Sequence, residues 1–228
     1  MKTFCNRHSA ITGDGSHTLY LPELGEHYHS THGALQESRH VFIQAGLDQV
    51  ASKKGLIRVL EVGFGTGLNA LLTLARAMER GLDVAYETLE PFPLSQAEWE
   101  ALNLPQLVKN GRYADAFARM HQSADLVNNR IDAGFTFLKH RRTLQEAVLP
   151  PNRYHVVYHD AFAPQYQPEM WSVEVFNKLY AAMLPEAVLT TYCAKGSVKR
   201  AMKAAGFVVS HPEGPPGKRE MTVAVREV

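Results

Sequence analysis

The segment Leu60-Glu-Val-Gly-Phe-Gly-Thr-Gly-Leu-Asn69 determines how this chain is organised. A hydrophobic run, Leu56-Ile-Arg-Val-Leu60, precedes it, and apolar residues at helical spacing follow it from Leu68 to Met78. This order predicts a β-strand, a glycine turn and an α-helix. Glycine permits a tight turn and the close approach of a ligand, because it has no Cβ atom. The free N–H groups at the start of the helix then face that ligand.

The spacing of the glycines separates this turn from two common phosphate-binding turns. A dinucleotide fingerprint reads G-x-G-x-x-G, whereas Gly63, Gly65 and Gly67 are evenly spaced and Leu68 occupies the last fingerprint position. The Gly-Lys-Ser/Thr ending of a phosphate loop is also missing. Glu61 would repel a pyrophosphate but could accept hydrogen bonds from an ammonium group. Glu61 and the helix start could therefore bind the two charges of the methionine end of S-adenosylmethionine. The alternative is a tight turn in an unrelated α/β protein, with Glu61 in solvent.

A second acidic residue follows the next predicted strand, which runs from Asp83 to Leu89 and ends at Glu90-Pro91. A carboxylate at this strand tip, roughly 20 residues past the glycine turn, binds a ribose diol in folds of this type. Glu90 would suit the ribose of either NAD or S-adenosylmethionine, or it could be a solvated carboxylate. The predicted cofactor-binding residues are Glu61, Gly63, Phe64, Gly65, Thr66, Gly67, Asn69, Glu90, Pro91 and Asp160.

Composition and charge exclude several classes of protein. The 228 residues are 45% hydrophobic and 21% charged, which is ordinary for one globular domain over residues 1–228. The net charge of +1 does not by itself indicate a nucleic-acid partner. Cys5 and Cys193 lack metal-ligand spacing, and His27, His29 and His32 lack a further ligand at suitable spacing, so no metal site is predicted. With no membrane-spanning run and no signal peptide, we expect a cytoplasmic protein without a membrane partner.

The order of predicted elements indicates the fold class. Residues 1–50 read as a small N-terminal extension, with a hairpin around Asp14-Gly15 and a helix that begins at Gly33 or Ala34. Residues 51–228 form the predicted core, in which strands and helices alternate from 56 to about 205 and two strands then follow closely. This pattern predicts an α/β protein with a mostly parallel, doubly wound Rossmann-like sheet and an antiparallel C-terminal edge strand.

Two further helices are expected within this core. Residues 105–130 read as helical and amphipathic, with Phe117, Met120, Leu126 and Val127 directed towards the core. A brief helix is expected after Arg142, ending at about Val148.

Four stretches of the chain resemble one known family. They are Gly33–Phe42, Glu61–Asn69, Asp160-Ala-Phe-Ala-Pro-Gln-Tyr-Gln-Pro-Glu-Met-Trp171 and Gly214-Pro-Pro-Gly-Lys-Arg-Glu-Met221. Together they resemble the methyltransferase part of the MnmC family, which modifies the wobble uridine of tRNA. The glycine motif is common to many methyltransferases, whereas the last two stretches are much more specific. The resemblance extends over nearly the whole chain.

The resemblance implies a fold, a reaction and a partner. It implies the S-adenosylmethionine-dependent methyltransferase fold and methylation of the amine of 5-aminomethyl-(2-thio)uridine in tRNA. Larger family members carry an FAD-dependent oxidase domain, and this chain ends at Val228 after its last predicted strand, so it resembles a stand-alone form. A separate FAD-dependent oxidase acting upstream would then be a partner. The family's Gly-Asp pair near the adenine is replaced by Lys139–Arg142, so we expect different adenine contacts.

Asp160 and Phe162 are the predicted catalytic residues. An alkylamine is largely protonated at neutral pH and must lose a proton before it can attack a methyl group. Asp160 follows the buried strand Tyr154–Tyr158 and would lie at the ligand edge of the sheet, where it could orient the amine, accept its proton or cap the following loop. Phe162 could stack on the uracil ring or anchor the loop.

The basic residues near the C-terminus form the predicted RNA surface. They are Lys195, Lys199, Arg200, Lys218 and Arg219, although a solvated charged face is the more common role of such residues. Two other functions stay open at this point. One is a non-catalytic module that binds S-adenosylmethionine, which the unusual Lys139–Arg142 stretch favours. The other is a small-molecule amine N-methyltransferase.

Overall fold

A small antiparallel sheet precedes the main fold. The computed structural model of the protein describes residues 6–52 and 55–227. Strands β1 (His8–Ile11), β2 (His17–Leu21) and β3 (Glu26–His27) pair in that order. Gly15, at φ +81°, lies in the turn between β1 and β2, which confirms the predicted hairpin. Cys5 lies outside the described residues, and Cys193 is a buried free thiol.

The predicted N-terminal helix is continuous from Ala34 to Val50. It consists of α1 (Ala34–Ser38), a π-helical segment (Arg39–Leu47) and α2 (Asp48–Val50). Its buried face packs on the central sheet, where the ring of Phe42 lies 5.2 Å from that of Tyr158. The extension is therefore attached to the core through an apolar interface.

The central sheet has eight strands. In chain order they are β4 (Ile57–Val62), β5 (Val84–Leu89), β6 (Asn128–Asp132), β7 (Phe135–His140), β8 (Tyr154–His159), β9 (Met183–Thr191), β10 (Val208–Ser210) and β11 (Thr222–Val225). Their order across the sheet is β10-β11-β9-β8-β4-β5-β7-β6. The five strands from β9 to β7 in this order are parallel, whereas β11 is antiparallel to both β9 and β10. The mostly parallel sheet and its antiparallel C-terminal pair are as predicted, with β10 rather than the last strand at the edge.

Helices cover both faces of this sheet. They are α3 (Leu68–Arg80), α4 (Gln96–Glu100), α5 (Leu104–Leu107), α6 (Ala114–Gln122), α7 (Val173–Ala182) and α8 (Gly196–Ala204). Strand β4 contributes Val59 to the core on one face and Leu60 to the core on the other, because successive side chains of a strand point in opposite directions. The sheet is thus doubly wound. Within the described ranges, no helix is long and apolar enough to span a membrane.

The predicted helix over 105–130 is wrong in two respects, because it is interrupted between α5 and α6, where Lys109 and Asn110 have positive φ, and because it ends early. Phe117 and Met120 are buried as expected, but α6 ends at Gln122, and Leu126 and Val127 are 51% and 48% exposed. The cause is a tertiary contact, because Lys139 Nζ donates to the carbonyl groups of Met120 and His121 and caps the end of α6. The chain then turns and adds β6 to the sheet edge.

The brief helix expected before Val148 is also wrong. The backbone makes only one turn there, in which Ala147 N donates to Thr143 O and Thr143 N donates to the Glu146 carboxylate. Pro150 and Pro151 follow directly, and a helix does not continue into residues that lack an N–H donor.

Candidate functional site

One cavity of about 710 Å³ lies at the carboxyl ends of the parallel strands. Its wall comes from the loops after β4, β5, β7 and β8, the N-terminal sheet, helix α1 and the turn before β11. A cavity of this size suits a cofactor or another compound of similar size. The residues of the sequence-based site that line it are Gly63, Phe64, Gly65, Thr66, Asn69, Glu90, Pro91, Asp160, Phe162 and Lys218.

Two glycines are required by close contacts within the chain itself. Gly63 has φ +95°, and a Cβ atom there would lie 2.6 Å from the carbonyl oxygen of Asp160. Gly67 has φ +77°, and its Cβ would lie 2.9 Å from both the Phe64 ring and His121 Nε2. The turn thus holds the ends of β4 and β8 together. Gly67, predicted to bind the cofactor, faces these side chains and does not line the cavity.

Thr66 connects the glycine turn to two histidines. His29 Nε2 lies 3.1 Å from Thr66 Oγ1, and its Nδ1 lies 3.0 Å from Thr18 Oγ1 on β2. His121 Nε2 lies 3.1 Å from the Thr66 carbonyl oxygen. Burial lowers the pKa of His29 to about 4 and that of His121 to about 3, so both rings are neutral at neutral pH. His29 thus fixes the N-terminal sheet to the turn, a role that the sequence analysis missed.

Glu90 is held at the cavity by the backbone. Its Oε2 accepts from Gly65 N at 2.9 Å, and its Oε1 accepts from Phe92 N at 2.8 Å. Burial raises the pKa of this carboxyl group, while the two backbone donors and Arg7 oppose the shift. The carboxylate has a fixed direction and keeps further lone pairs for a ligand.

Glu61 does not reach the cavity wall, contrary to the prediction that its carboxylate meets an ammonium group. Its side chain is fully buried below the turn, because β4 pairs with β5 on one side and β8 on the other. Its Oε2 accepts from Thr88 Oγ1 at 2.8 Å, and its carboxyl group also interacts with the side chains of Asn69 and Tyr86. Burial raises the pKa of Glu61 to about 8, so the carboxyl group is mostly protonated at neutral pH.

Asp160 lies at the end of β8 and faces the cavity. Its N–H donates to Val62 O at 3.0 Å, and its Oδ2 accepts from Asn69 Nδ2 at 2.8 Å. Burial raises the pKa of Asp160 to about 7; Glu37 adds to the shift, and Asn69 and Lys218 oppose it. A carboxyl group with a pKa near neutrality is suited to accept a proton.

The loop after β8 is anchored by its backbone and presents an aromatic ring. Trp171 Nε1 donates to Phe162 O at 2.8 Å, and Tyr192 OH donates to Ala161 O at the same distance. The Phe162 ring forms part of the cavity wall, where it meets the ring of Tyr28 edge-on at 5.1 Å. The loop is therefore held without burying the ring of Phe162.

The predicted basic surface is smaller than the sequence indicated. Lys199 Nζ lies 2.8 Å from Glu220 Oε2, and Lys218 Nζ lies 2.5 Å from Glu37 Oε1. These two charges are compensated within the chain. Lys195, Arg200 and Arg219 are exposed, and Lys195 also donates to Gln165.

The stretch Lys139–Arg142 divides between the core and the cavity. Lys139 is fully buried at the end of α6 and does not line the cavity. Arg142 does line it and lies 3.8 Å from the Asp125 carboxylate. The guanidinium group of Arg142 thus lies on this part of the wall, where the MnmC family has the carboxylate of its Gly-Asp pair.

Comparison with known proteins identifies the family. Residues 108–227 match a family model described as S-adenosyl-L-methionine-dependent methyltransferase. The chain belongs to this family. The match extends over more than half of the chain, and it confirms the enzyme class, the cofactor and the resemblance predicted from the motifs.

Relatives of this methyltransferase include two curated bacterial proteins with the same name. Both are called tRNA 5-methylaminomethyl-2-thiouridine biosynthesis bifunctional protein MnmC. The protein from Burkholderia multivorans is 30% identical over 94% of the chain, and that from Burkholderia thailandensis is 34% identical over 90%. The chain spans 34% and 33% of their lengths.

Solved structures confirm the fold. The crystal structure of MnmC2 from Aquifex aeolicus superposes with a TM-score of 0.76 at 24% identity, covering 98% of this chain and 70% of the other. Spermidine synthase from Thermotoga maritima superposes with a TM-score of 0.51 at 13% identity, covering 96% of this chain and 71% of the other.

The residues around the cavity fit S-adenosylmethionine. Gly63, Phe64, Gly65 and Thr66 line the cavity directly before α3, and Asn69 lines it on the first turn of that helix. The N-terminus of α3 and the fixed Glu90 carboxylate suit an amino-acid carboxylate and a ribose diol, respectively.

Proposed function

We propose that this methyltransferase transfers a methyl group to the amine of 5-aminomethyl-(2-thio)uridine at the wobble position of tRNA. The observation that carries the proposal is the position of Asp160, whose carboxyl group lines the same cavity as the Phe162 ring and whose pKa is raised by burial to about 7. The relatives named MnmC, which match at least nine-tenths of the chain, support this substrate. A separate FAD-dependent oxidase acting upstream would supply the amine.

The bound cofactor supplies a methyl group already activated on a sulfonium. Asp160 accepts the proton of the substrate ammonium, so that the nitrogen lone pair is free to form the new N–C bond as the S–C bond breaks. Asn69 fixes the direction of the Asp160 carboxylate through Oδ2. Phe162 provides a face on which the uracil ring stacks, and this holds the amine in line with the methyl group.

The remaining cavity residues divide between the two ends of the cofactor. We assign Gly63, Phe64, Gly65, Thr66 and Asn69 to its methionine end, because they surround the start of α3. We assign Glu90 and Pro91, at the end of β5, to its ribose end.

Glu90→Ala should weaken S-adenosylmethionine binding by about 10- to 100-fold, because hydrogen bonds to a charged group are worth about 1.5–3 kcal/mol. Titration calorimetry measures this change. Glu100→Ala is the matched control, since Glu100 is exposed on α4 and does not line the cavity. Thermal unfolding without cofactor shows whether the loss of the Gly65 and Phe92 contacts also loosens the turn. An unchanged affinity would remove Glu90 from the cofactor site.

Replacing Lys195, Arg200 and Arg219 together with glutamine should raise the KM for tRNA and flatten its dependence on salt. Each lost phosphate contact should reduce the slope of log K against log salt concentration by about 0.7–0.9. The affinity for S-adenosylmethionine should stay the same. Replacing Arg80, Lys109 and Arg112 with glutamine is the control, because these residues lie near the C-terminal end of α3, away from the cavity. If the variant of Lys195, Arg200 and Arg219 keeps the wild-type slope of log K against log salt concentration, the RNA surface lies elsewhere.

A small-molecule amine methyltransferase is the second candidate, because the ion pairs of Lys199 and Lys218 leave fewer free cations near the cavity. Rates with four substrates separate the functions: tRNA carrying 5-aminomethyluridine, tRNA without the aminomethyl group, the free nucleoside, and spermidine. We expect kcat/KM to be highest for the tRNA and tRNA without the aminomethyl group to be inert. A preference for spermidine would support the second candidate, and cofactor binding without any transfer would indicate a non-catalytic module.

A further inference from the structure

An ion pair between two distant segments lies on the wall of the cavity that contains Asp160. Glu37 of α1 and Lys218 of the turn before β11 both line this cavity, and Lys218 Nζ lies 2.5 Å from Glu37 Oε1. The other carboxylate oxygen of Glu37 accepts from Ser30 N at 2.8 Å. Glu37 has only 7% of its surface exposed, which is unusual for a carboxylate that serves only solubility.

Lys218 is held in place on several sides. Its Nζ lies 4.1 Å from the centroid of the Tyr192 ring, in a cation–π contact, in addition to its ion pair with Glu37. The turn that carries it is packed against the N-terminal segment, since a Cβ atom on Gly217 would lie 2.8 Å from the His32 ring. The ammonium group is therefore fixed at the cavity, and reaching an RNA phosphate would break both contacts.

The groups around Asp160 come from five elements of the described structure. Glu61 belongs to β4, Asn69 to α3, Glu37 to α1, Tyr192 to the loop directly after β9 and Lys218 to the turn before β11. Tyr86 of β5 lies below them, and its pKa, like that of Tyr192, is raised by burial, so both phenols are neutral. Glu61 is mostly protonated at neutral pH. Glu37 and Lys218 are thus the charged groups of this set, and they act on Asp160 with opposite sign.

We propose that Glu37 and Lys218 are positioning residues for methyl transfer. Their ion pair places one negative and one positive charge on the wall of the cavity that contains Asp160. These two charges set the charge state in which Asp160 meets the substrate amine. This inference rests on the proposed function. It assigns Lys218 to the reaction site rather than to the RNA surface. It also gives a role to Glu37, which the sequence analysis did not single out.

The two single variants should shift the pH dependence in opposite directions. Lys218→Met removes a positive charge, so the lower break in the profile of kcat/KM against pH should move up by about 1 pH unit. Glu37→Gln removes a negative charge, so the same break should move down. Below its break the profile falls about tenfold per pH unit, and Lys218→Met should therefore be about tenfold slower than the wild type there. Lys218→Arg keeps the charge and should restore the wild-type break.

A matched control lies nearby. Lys199 forms a similar ion pair with Glu220, and neither residue lines the cavity that contains Asp160. Lys199→Met should leave the break where it is. The double variant Glu37→Gln/Lys218→Met should move the break down by less than Glu37→Gln alone, because Glu37 shifts the pKa of Asp160 more than Lys218 does. If Lys218→Met does not fold, Lys218→Gln replaces it.

A direct titration separates this inference from the proposed function. The ¹³C signal of the Asp160 carboxyl group, assigned with Asp160→Asn, can be followed against pH without any substrate. The midpoint should rise in Lys218→Met and fall in Glu37→Gln, whatever the substrate of the enzyme is. Unchanged midpoints, or shifts of the same sign in both variants, would overturn the inference. Opposite shifts in a protein that methylates no aminomethyluridine would uphold it and overturn the proposed function instead.

Discussion

Asp160→Asn is expected to lower kcat for methyl transfer by about 10²–10⁴-fold while S-adenosylmethionine binds with nearly unchanged affinity. The asparagine keeps the size of the side chain and one oxygen that can accept from Asn69, but it cannot take a proton from the substrate ammonium. Single-turnover rates and calorimetry on the same protein measure the two quantities. Asp115→Asn is the control, since Asp115 is exposed on α6 away from the cavity.

The pH dependence of this variant separates a proton acceptor from a structural cap. In the wild type, Asp160 ionises at a pKa of about 7, so the rate should rise with pH through neutrality. In Asp160→Asn the rate should keep rising at higher pH, because more amine is then neutral without assistance. Near-wild-type turnover at neutral pH would refute the mechanism.

The stability of the same variant provides a second criterion. A carboxyl group whose pKa is higher in the folded than in the unfolded protein binds more protons when folded. It therefore lowers stability progressively as pH rises from about 4 to 7. Replacing it with a neutral side chain removes this cost, so the melting temperature at neutral pH should be unchanged or higher. A marked loss of stability together with cofactor binding, without rescue by pH, would instead indicate that Asp160 is a cap for the following loop.

Gly63→Ala is expected to have the largest effect on stability. The residue has a positive φ, and the added Cβ would lie 2.6 Å from the backbone oxygen of Asp160, which cannot move without displacing β8. Backbone strain of about 1–2 kcal/mol and overpacking of about 1–3 kcal/mol should together lower the free energy of unfolding by about 2–5 kcal/mol. This corresponds to a fall in the melting temperature of roughly 5–15 °C. Cofactor binding should weaken as well, because the turn and Asp160 move together.

Gly81→Ala isolates the strain from the steric clash. Gly81 ends α3 with φ +64°, and a Cβ there meets nothing within 4 Å. Only the strain of about 1–2 kcal/mol should remain, with no effect on cofactor affinity. Equal losses of stability in the two variants would show that the contact between Gly63 and Asp160 does not constrain the turn.

The sequence was sufficient for the parts of the fold that local patterns determine. Strand β4, the glycine turn and α3 follow from apolar periodicity and the glycine spacing within one segment, Leu56–Met78. The grouping of this turn with Glu90 and Asp160 followed from the rule that the carboxyl ends of parallel strands meet at one edge. The structure brings these residues to a single cavity.

The parts that were missed depend on contacts between distant segments. The end of α6 is fixed by Lys139, which comes later in the chain, and Leu126 adopts φ +60°, which no apolar periodicity indicates. The burial of Glu61 depends on which strands flank β4.

The cavity residues from the N-terminal extension were missed for the same reason. Tyr28, His29 and Glu37 reach the cavity through the packing of that extension on the core. The polar run His27–His32 is the available local signal, but the spacing of its histidines suggests only a metal site, and that site lacks a further ligand.

The most direct test of the account is the position of the transferred methyl group. The purified protein is incubated with methyl-labelled S-adenosylmethionine and tRNA that carries 5-aminomethyl-2-thiouridine, and the tRNA is then digested and analysed by mass spectrometry of its nucleosides. We expect label in 5-methylaminomethyl-2-thiouridine, with an equal loss of the aminomethyl nucleoside. Label in any other nucleoside, or unlabelled tRNA with a folded protein that binds the cofactor, would contradict it.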